Sequence, residues 1–293
     1  MADLVTPAYR SAAALARRLP KRVAAAFAIG LGRVAGRIAG QRRAQVERNL
    51  RRVDPTMDAA ARRRAVRETF ESYARYYEES FRLPGTSPDV LDAGFTHEGY
   101  EHLDAALAQG HGAIMAMPHL GGWEWSGFWL TQVKGVPVTA VVEQLEPPAL
   151  FDWFADLRRS FGFEIVPLGP AAGAATSRAL KANHVLALLC DRDLTGTGPE
   201  VTFFGETTRL PGGPATLALR TGAPILPAAI YFDGPDNRHA VVLPPLDTTR
   251  QWSLRDDVQS VTQDLAAALE ALIRKAPEQW HLLQPNWPSD RVS

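Results

Sequence analysis

The sequence predicts an α/β fold, in which a central mixed sheet is flanked by helices and preceded by a helical N-terminal lobe. Residues 8–83 are rich in Ala, Arg, Leu and Glu and hold few clusters of β-branched residues, which is typical of helices. From residue 90 onwards, short apolar runs alternate with helical stretches of about 10–15 residues, the pattern of an α/β layer architecture. Pro84-Gly85 and Pro88 separate the two patterns, so we predict domains at 1–84 and 85–293.

The elements follow from local composition. In the helical lobe, Asp54-Pro55 predicts a break, after which either Thr56 or Asp58 can cap the next helix. The predicted strands are short apolar runs at 95–98, 113–117, 138–142, 164–167, 185–190, 202–204, 225–232 and 240–243. The predicted helices of the second domain lie at 101–109, 121–132, 148–161, 172–182, 213–221 and 254–275.

The N-terminal lobe is strongly basic, although Lys+Arg and Asp+Glu both total 32. Residues 1–70 hold 16 basic and five acidic residues, a net charge of +11, which leaves −11 for the rest of the chain. Such a lobe predicts an anionic partner: phospholipid head groups, nucleic acid or the acidic part of the same chain. A solvated arginine-rich helix face is the structural alternative.

The apolar stretch 23–32 is the longest uninterrupted one, and it is far shorter than the roughly 20 residues that cross a bilayer. Arg and Lys stand at both ends of it, so we expect an interfacial helix that lies on a membrane surface. The chain has one cysteine, Cys190, which excludes an intramolecular disulfide and favours a reducing compartment.

His119 and Glu124, in Met117-Pro-His-Leu-Gly-Gly-Trp-Glu124, form the candidate catalytic pair. Residues five apart on a continuous helix point about 140° apart, so the pair needs a junction from strand through turn to helix. There we expect Glu124 to hold one ring nitrogen of His119, which leaves the other free as a general base. The alternative is a loop histidine that only hydrogen-bonds a nearby carboxylate.

Asp191 and Asp193 directly follow the apolar strand predicted at 185–190. An Asp-x-Asp pair can hold a divalent cation and a nucleotide diphosphate, as in a metal-dependent glycosyltransferase. Alternatively, the two carboxylates orient a sugar or form ion pairs with arginines. The residues leave these alternatives open.

Two arginines are candidates for binding phosphate. Arg209 precedes Leu-Pro-Gly-Gly-Pro214, where Pro and Gly before an Ala/Leu run predict a loop that enters a helix. Arg158 lies in Leu-Arg-Arg-Ser-Phe-Gly162, and a solvated helix face is the alternative for either arginine. The sequence holds no Walker A, H-E-x-x-H or helix-opening G-x-G-x-x-G motif, and its other histidines lack metal-ligand spacing, so we expect no metal and no cofactor.

Together, these segments resemble the bacterial lipid-A-type lauroyl/myristoyl acyltransferase family. The resemblance covers a basic N-terminal lobe, the His119–Glu124 motif, Arg158, Asp191-Arg-Asp193 with Phe203-Phe-Gly205, and the Pro-Gly loop, in that order. The stretch from Glu200 to Glu206 and the closing Glu-Gln-Trp-His281-Leu-Leu-Gln are most similar to the actinobacterial branch that acylates phosphatidylinositol mannosides. Gly122 departs from the pattern, because many members carry Asn there.

The resemblance implies a glycerolphosphate-acyltransferase-like fold and a peripheral enzyme on the cytoplasmic face of the plasma membrane. It implies transfer of a palmitoyl-type chain from acyl-CoA, the co-substrate, to a mannose hydroxyl. A lipid-A-like acceptor and an acyl-carrier-protein donor stay open, and a non-catalytic protein that binds membranes or nucleic acid is a third hypothesis. The implied roles are these: His119 as base, with Glu124 and Glu200 catalytic, and Glu143, Arg158, Asp191, Asp193 and Arg209 at the substrate.

Overall fold

A mixed sheet of seven strands forms the centre of the computed structural model, which describes residues 5–291. The strands, in chain order, are β1 (Phe95–Glu98), β2 (Ala113–Met117), β3 (Val138–Val142), β4 (Phe163–Pro167), β5 (Val185–Leu189), β6 (Glu200–Phe203), β7 (Glu206–Arg209), β8 (Ile225–Asp233) and β9 (Asn237–Val242). The sheet has the order β1-β9-β8-β2-β5-β3-β4, and β6 and β7 form a separate hairpin. Only the β8–β9 pair of the sheet is antiparallel in the described chain, so the predicted mixed α/β sheet is confirmed.

Helices cover both faces of this sheet and precede it. The helices are α1 (Val5–Arg18), α2 (Lys21–Ile38), α3 (Gly40–Val53), α4 (Ala59–Arg82), α5 (Pro88–Ala93), α6 (Tyr100–Ala108), α7 (Trp123–Gln132), α8 (Pro148–Arg159), α9 (Ala172–Lys181), α10 (Gly213–Thr221) and α11 (Leu254–Lys275). Short 3₁₀ turns lie at Leu83–Gly85, Pro277–Gln279 and Pro288–Arg291. The sequence patterns missed α5, which has six residues, and β7, which has four.

The N-terminal helices break where the chain cannot continue a helix. Asp58 caps α4, because its carboxylate accepts hydrogen bonds from the backbone N–H groups of Ala60 and Ala61. That break was predicted, whereas the breaks at Pro20 and Ala39 were not. Helix α4 packs on α2 and also touches the turn at Pro277–Gln279. The domain boundary at residue 84 stays a prediction.

None of the helices within residues 5–291 is by itself both long and apolar enough to span a bilayer. Helices α2 and α3 pass the same test of length and composition only when taken together, and they are bent by 94° where they meet.

The central strands are continuous apolar runs because helices bury both of their faces. On β2, Ile114 and Ala116 belong to the core that α10 and α11 cover. Met115 and Met117 alternate with them and belong to the core on the other side, beneath α6 and α7.

This topology brings three strand ends to one edge. Strands β2, β5 and β3 are neighbours and parallel, so their carboxyl ends lie side by side. His119 follows β2, Asp191 follows β5 and Glu143 follows β3. In open α/β sheets this edge is where ligands bind.

Candidate active site

The loop that carries His119 is held from both sides. Leu120 forms a β-bridge with Trp280, and Gly121 forms one with Ile230 of β8. Gly121 has a φ of +56°, and a Cβ atom there would lie 2.0 Å from the carbonyl oxygen of Ile230. Only glycine fits this approach, so α7 begins at Trp123 and not at residue 121 as predicted.

The ring of His119 is oriented by Asp191. Its Nδ1 lies 2.6 Å from Oδ1 of Asp191, whose carboxylate is fully buried. The other oxygen, Oδ2, accepts a hydrogen bond of 2.7 Å from the indole N–H of Trp280. Burial opposes ionisation of Asp191, but the charge and hydrogen bond of His119, together with the Trp280 bond, keep the pKa of Asp191 below its usual value. His119 Nε2 has no hydrogen-bond partner within residues 5–291, and His119 lines a large cavity.

Glu124 does not occupy the position beside His119 that the motif predicted. Its carboxylate binds Arg158 of α8, whose Nε donates to Oε1 over 3.0 Å, and it also accepts from the hydroxyl of Tyr76. Glu124 is 1% exposed and sits in the first turn of α7. A buried carboxylate needs a cation, and Arg158 supplies it from the adjacent helix.

Strand register explains why Asp191 takes the place expected for Glu124. Met117 of β2 pairs with Leu189 of β5, so the residues two positions further along each strand, His119 and Asp191, meet at the sheet edge. His119 and Asp191 are 72 positions apart, so a motif read along the sequence does not pair them. The sequence signal that could have found it is a His and an Asp at the same offset from two apolar parallel strands.

Arg158 is nine-tenths buried and lines the cavity. The Glu124 carboxylate balances its charge. Burial by itself would lower the pKa of Arg158, but the neighbouring Glu124 carboxylate raises it above its usual value. The guanidinium also lies 5.4 Å from the ring of Trp123. Arg158 therefore stays cationic at the cavity wall.

The other predicted residues in the cavity lining form ion pairs or stabilise a loop. Glu143 binds Arg192 over 2.9 Å, and Glu200 binds Arg209 over 2.7 Å. Asp193 folds its own loop, because its carboxylate accepts from Thr195 and from the backbone N–H of Gly198. Glu200 begins β6, and its side chain is 63% exposed.

The cavity has a volume of about 1350 Å³ and two kinds of wall. One wall is aromatic and apolar, with Tyr73, Tyr76, Tyr77, Trp123, Leu145 and Phe154. The other is charged, with Glu143, Arg192, Asp193, Glu200, Arg209, Arg220 and Arg255. Of the eight predicted site residues, Glu124 and Asp191 lie behind the lining rather than in it.

Asp191 and Asp193 do not form the divalent-cation site that the sequence left open as an alternative. Asp191 binds His119 and Trp280, while Asp193 binds the backbone of its own loop. Within residues 5–291, no group of three or more His, Cys, Asp or Glu side chains is placed to hold a metal ion.

A histidine oriented by a buried carboxylate, next to a cavity with apolar and charged walls, is suited to act as a general base on a hydroxyl group. The family model described as bacterial lipid A biosynthesis acyltransferase matches residues 5–289. The chain belongs to this family, and it is an O-acyltransferase. This assignment decides against the glycosyltransferase and the non-catalytic hypotheses.

Two relatives are similar over most of the chain. The phosphatidylinositol mannoside acyltransferase of Mycobacterium tuberculosis is 42% identical over 251 residues, which cover 84% of this chain and 77% of the relative. The protein of the same name from Mycolicibacterium smegmatis is 39% identical over 280 residues, covering 94% and 89%. The family resemblance predicted from the motifs is therefore confirmed.

Replacement of Asp191 tests the orientation of His119. We expect Asp191→Asn to lower kcat by about 10²–10⁴-fold, because an amide cannot balance the charge on a protonated His119. The matched control is Asp92→Asn, since Asp92 also accepts from an indole N–H, that of Trp129, but lies outside the cavity lining. Steady-state rates at saturating substrate check this, and an Asp191→Asn enzyme as fast as the control would contradict it.

Replacement of Glu124 tests the buried ion pair. We expect Glu124→Gln to lower the free energy of unfolding by about 3–5 kcal/mol, because Arg158 would keep an uncompensated buried charge. The double variant Glu124→Gln with Arg158→Met should regain part of this loss. Denaturant titration measures both, and an unchanged free energy in the single variant would show that the pair does not stabilise the fold.

Proposed function

We propose that the chain transfers a long-chain acyl group of palmitoyl type from acyl-CoA to a mannose hydroxyl of a phosphatidylinositol mannoside, with His119 as general base. The names of the mycobacterial relatives support this acceptor. The observation that carries the mechanism is the 2.6 Å contact between His119 Nδ1 and the buried carboxylate of Asp191.

The proposed reaction uses the ring nitrogen that Asp191 leaves free. With a proton held on Nδ1, Nε2 of His119 accepts the proton of the mannose hydroxyl as its oxygen attacks the thioester carbonyl carbon. A C–O bond forms, and the C–S bond then breaks. The departing CoA thiolate takes the proton from His119, which restores the neutral imidazole. Glu124 acts in this scheme by holding Arg158 in place.

The two walls of the cavity support the assignment of the substrates. Moving an acyl chain from water onto an apolar surface, such as that of Tyr77, Leu145 and Phe154, lowers the free energy. CoA carries phosphates, which arginines bind well. Arg220 and Arg255 have no ion-pair partner in the described part of the chain and stand on the charged wall, so they are suited to this role.

An assay with purified protein tests the proposed substrates. With palmitoyl-CoA and phosphatidylinositol mannoside, we expect release of CoA and an acylated glycolipid of the matching mass. His119→Ala should lower the rate by about 10²–10⁴-fold, and His111→Ala, which replaces a histidine outside the cavity lining, should not. Mass spectrometry of the lipid and a thiol assay measure the two products.

Parallel reactions separate the alternatives. Faster transfer from palmitoyl-acyl-carrier protein than from palmitoyl-CoA would identify the carrier protein as the donor. Acylation only of a lipid-A-like acceptor would overturn the mannoside assignment. Full activity of His119→Ala would remove the base assignment.

We also propose that the N-terminal lobe binds an anionic membrane surface, so that the protein is peripheral to the cytoplasmic face of the plasma membrane. Helix α2 supports this proposal by its distribution of side chains. It packs on α4 through small residues, since Ala24, Ala28 and Gly32 are buried. A Cβ at Gly32 would lie only 2.5 Å from the carbonyl oxygen of Phe70.

The opposite face of α2 carries the large apolar side chains. They recur every three or four residues and are at least half exposed: Val23, Phe27, Leu31, Val34 and Ile38. A helix that turns its small residues inward and its large apolar residues outward lacks a protein partner for that face in the described structure. With the basic excess of residues 1–70, this face fits the head-group region of an anionic bilayer.

Charge placed on this apolar face should weaken membrane binding. We expect the Phe27→Asp, Leu31→Asp variant to bind phosphatidylinositol-containing vesicles at least about tenfold less, because both side chains would lose apolar burial and gain repulsion. Val90→Asp is the control, since Val90 is 53% exposed but belongs to α5 and not to the apolar face of α2. Vesicle flotation measures binding, and equal flotation of the two variants would contradict the proposal.

A further inference from the structure

His281 lies beside the catalytic loop and faces the same cavity. Its backbone N–H donates a hydrogen bond of 2.7 Å to the carbonyl oxygen of His119. The residue is 7% exposed, and it lines the cavity. The proposed mechanism above assigns it no part.

The hydroxyl of Ser72 determines which nitrogen of His281 carries the proton. Ser72 Oγ lies 2.9 Å from Nε2 of His281. Elsewhere on α4, Thr69 and Ser80 donate their hydroxyl protons to backbone carbonyls four residues earlier, but Ser72 has no acceptor other than His281 among residues 5–291. This favours the Ser72 O–H as the donor to Nε2, with the proton of the neutral ring on Nδ1.

This Nδ1–H group has no partner within the described chain, and it is not sealed from the cavity. The ring as a whole stays neutral. Burial, together with the nearby charge of His119, lowers the pKa of His281 to about 3. A donor that is open to the cavity and has no protein acceptor is available to a ligand bound there.

The surroundings of the ring indicate which ligand atom this is. His281 lies between His119 and the aromatic wall, with its ring centroid 5.3 Å from that of Tyr73 and 5.8 Å from that of Tyr76. If the acceptor hydroxyl contacts His119 and the acyl chain lies along the aromatic wall, the thioester carbonyl lies between them. A neutral N–H donor at that place meets the carbonyl oxygen.

We propose that His281 is a further catalytic residue, whose Nδ1–H, oriented by Ser72, donates a hydrogen bond to the thioester carbonyl oxygen and stabilises the negative charge that develops there. This inference rests on the thioester donor proposed above. As the C–O bond forms, the carbonyl electron pair moves to this oxygen, and His281 keeps its proton throughout. When the C–S bond breaks, the pair returns and the carbonyl is restored. His119 alone takes and returns a proton.

Two substitutions of similar polarity separate this role from packing. The side-chain amide introduced by His281→Asn can present its N–H at the place of Nδ1, whereas the longer amide introduced by His281→Gln reaches only to the place of Nε2 and the Ser72 hydroxyl. We therefore expect His281→Gln to lower kcat about 100-fold with KM changed less than about threefold, and His281→Asn to regain at least about tenfold of that loss. A packing role predicts the reverse order, because Gln is nearer to His in size.

Ser72→Ala supplies an independent test. Without the hydroxyl, the ring proton can move to Nε2. We therefore expect Ser72→Ala to lower kcat by about three- to tenfold in the wild-type background, and to cause no further loss in the His281→Gln background. His184→Asn is the control, since His184 is also held by a hydroxyl, that of Thr139 over 2.9 Å, but lies outside the cavity lining. Thermal melting of each variant confirms that it is folded.

The outcomes are separable from those of the proposed function. An inactive wild type with palmitoyl-CoA would refute the donor assignment. An active wild type with His281→Gln as fast as His281→Asn, or with its loss confined to KM, would overturn only the role of His281.

Discussion

The hydrogen bond between His119 and Asp191 places strong demands on the rest of the molecule, because it keeps an ionised carboxylate out of water. An isolated buried carboxylate would become protonated, and it would then lose the charge that balances a protonated histidine. Asp191 avoids this through two donors to its carboxylate, His119 and the indole N–H of Trp280, while Asn286 donates to its backbone carbonyl. The β2–β5 register supplies the first donor, and the C-terminal segment supplies the others.

The C-terminal segment after α11 therefore belongs to the active site as much as the strand ends do. Gln279 accepts at its backbone carbonyl from Gly121 and, through its side chain, bonds both backbone groups of Phe232. Trp280 and His281 continue this pairing at Leu120 and His119. Asn49 of α3 donates in turn to the carbonyl of Leu282. Helix α3 thus supports the segment 279–282, and that segment in turn holds the catalytic loop.

The sequence predicted what periodicity and strand ends determine. The α/β layering, most of the strands, a helix cap at either Thr56 or Asp58 and the place of His119 at a strand end all followed from local patterns. The partner of His119 did not, because the motif pairs residues by distance along the chain, whereas the sheet pairs them by register. The Glu124–Arg158 and Ser72–His281 contacts join residues 34 and 209 positions apart, and no local pattern carries such information.

Gly122 shows how this chain departs from the family pattern without leaving a gap. A Cβ atom at Gly122 would lie 2.5 Å from Oε1 of Glu79 and 3.0 Å from the ring of Phe232. Glu79 is itself a buried carboxylate, paired with Arg238 of β9. A side chain at residue 122 would require the Glu79 carboxylate to shift, so here a polar group beside the catalytic loop comes from α4.

Helix α4 consequently serves three purposes along its length. Ser72 and Glu79 reach the surroundings of the catalytic loop, and Tyr73 lines the aromatic wall. One turn before Tyr73, Phe70 receives the closely packed glycines of α2. The apolar face proposed for the membrane is thus only one helix away from the cavity. Through α4, the proposed membrane face and the aromatic wall of the cavity share one supporting helix.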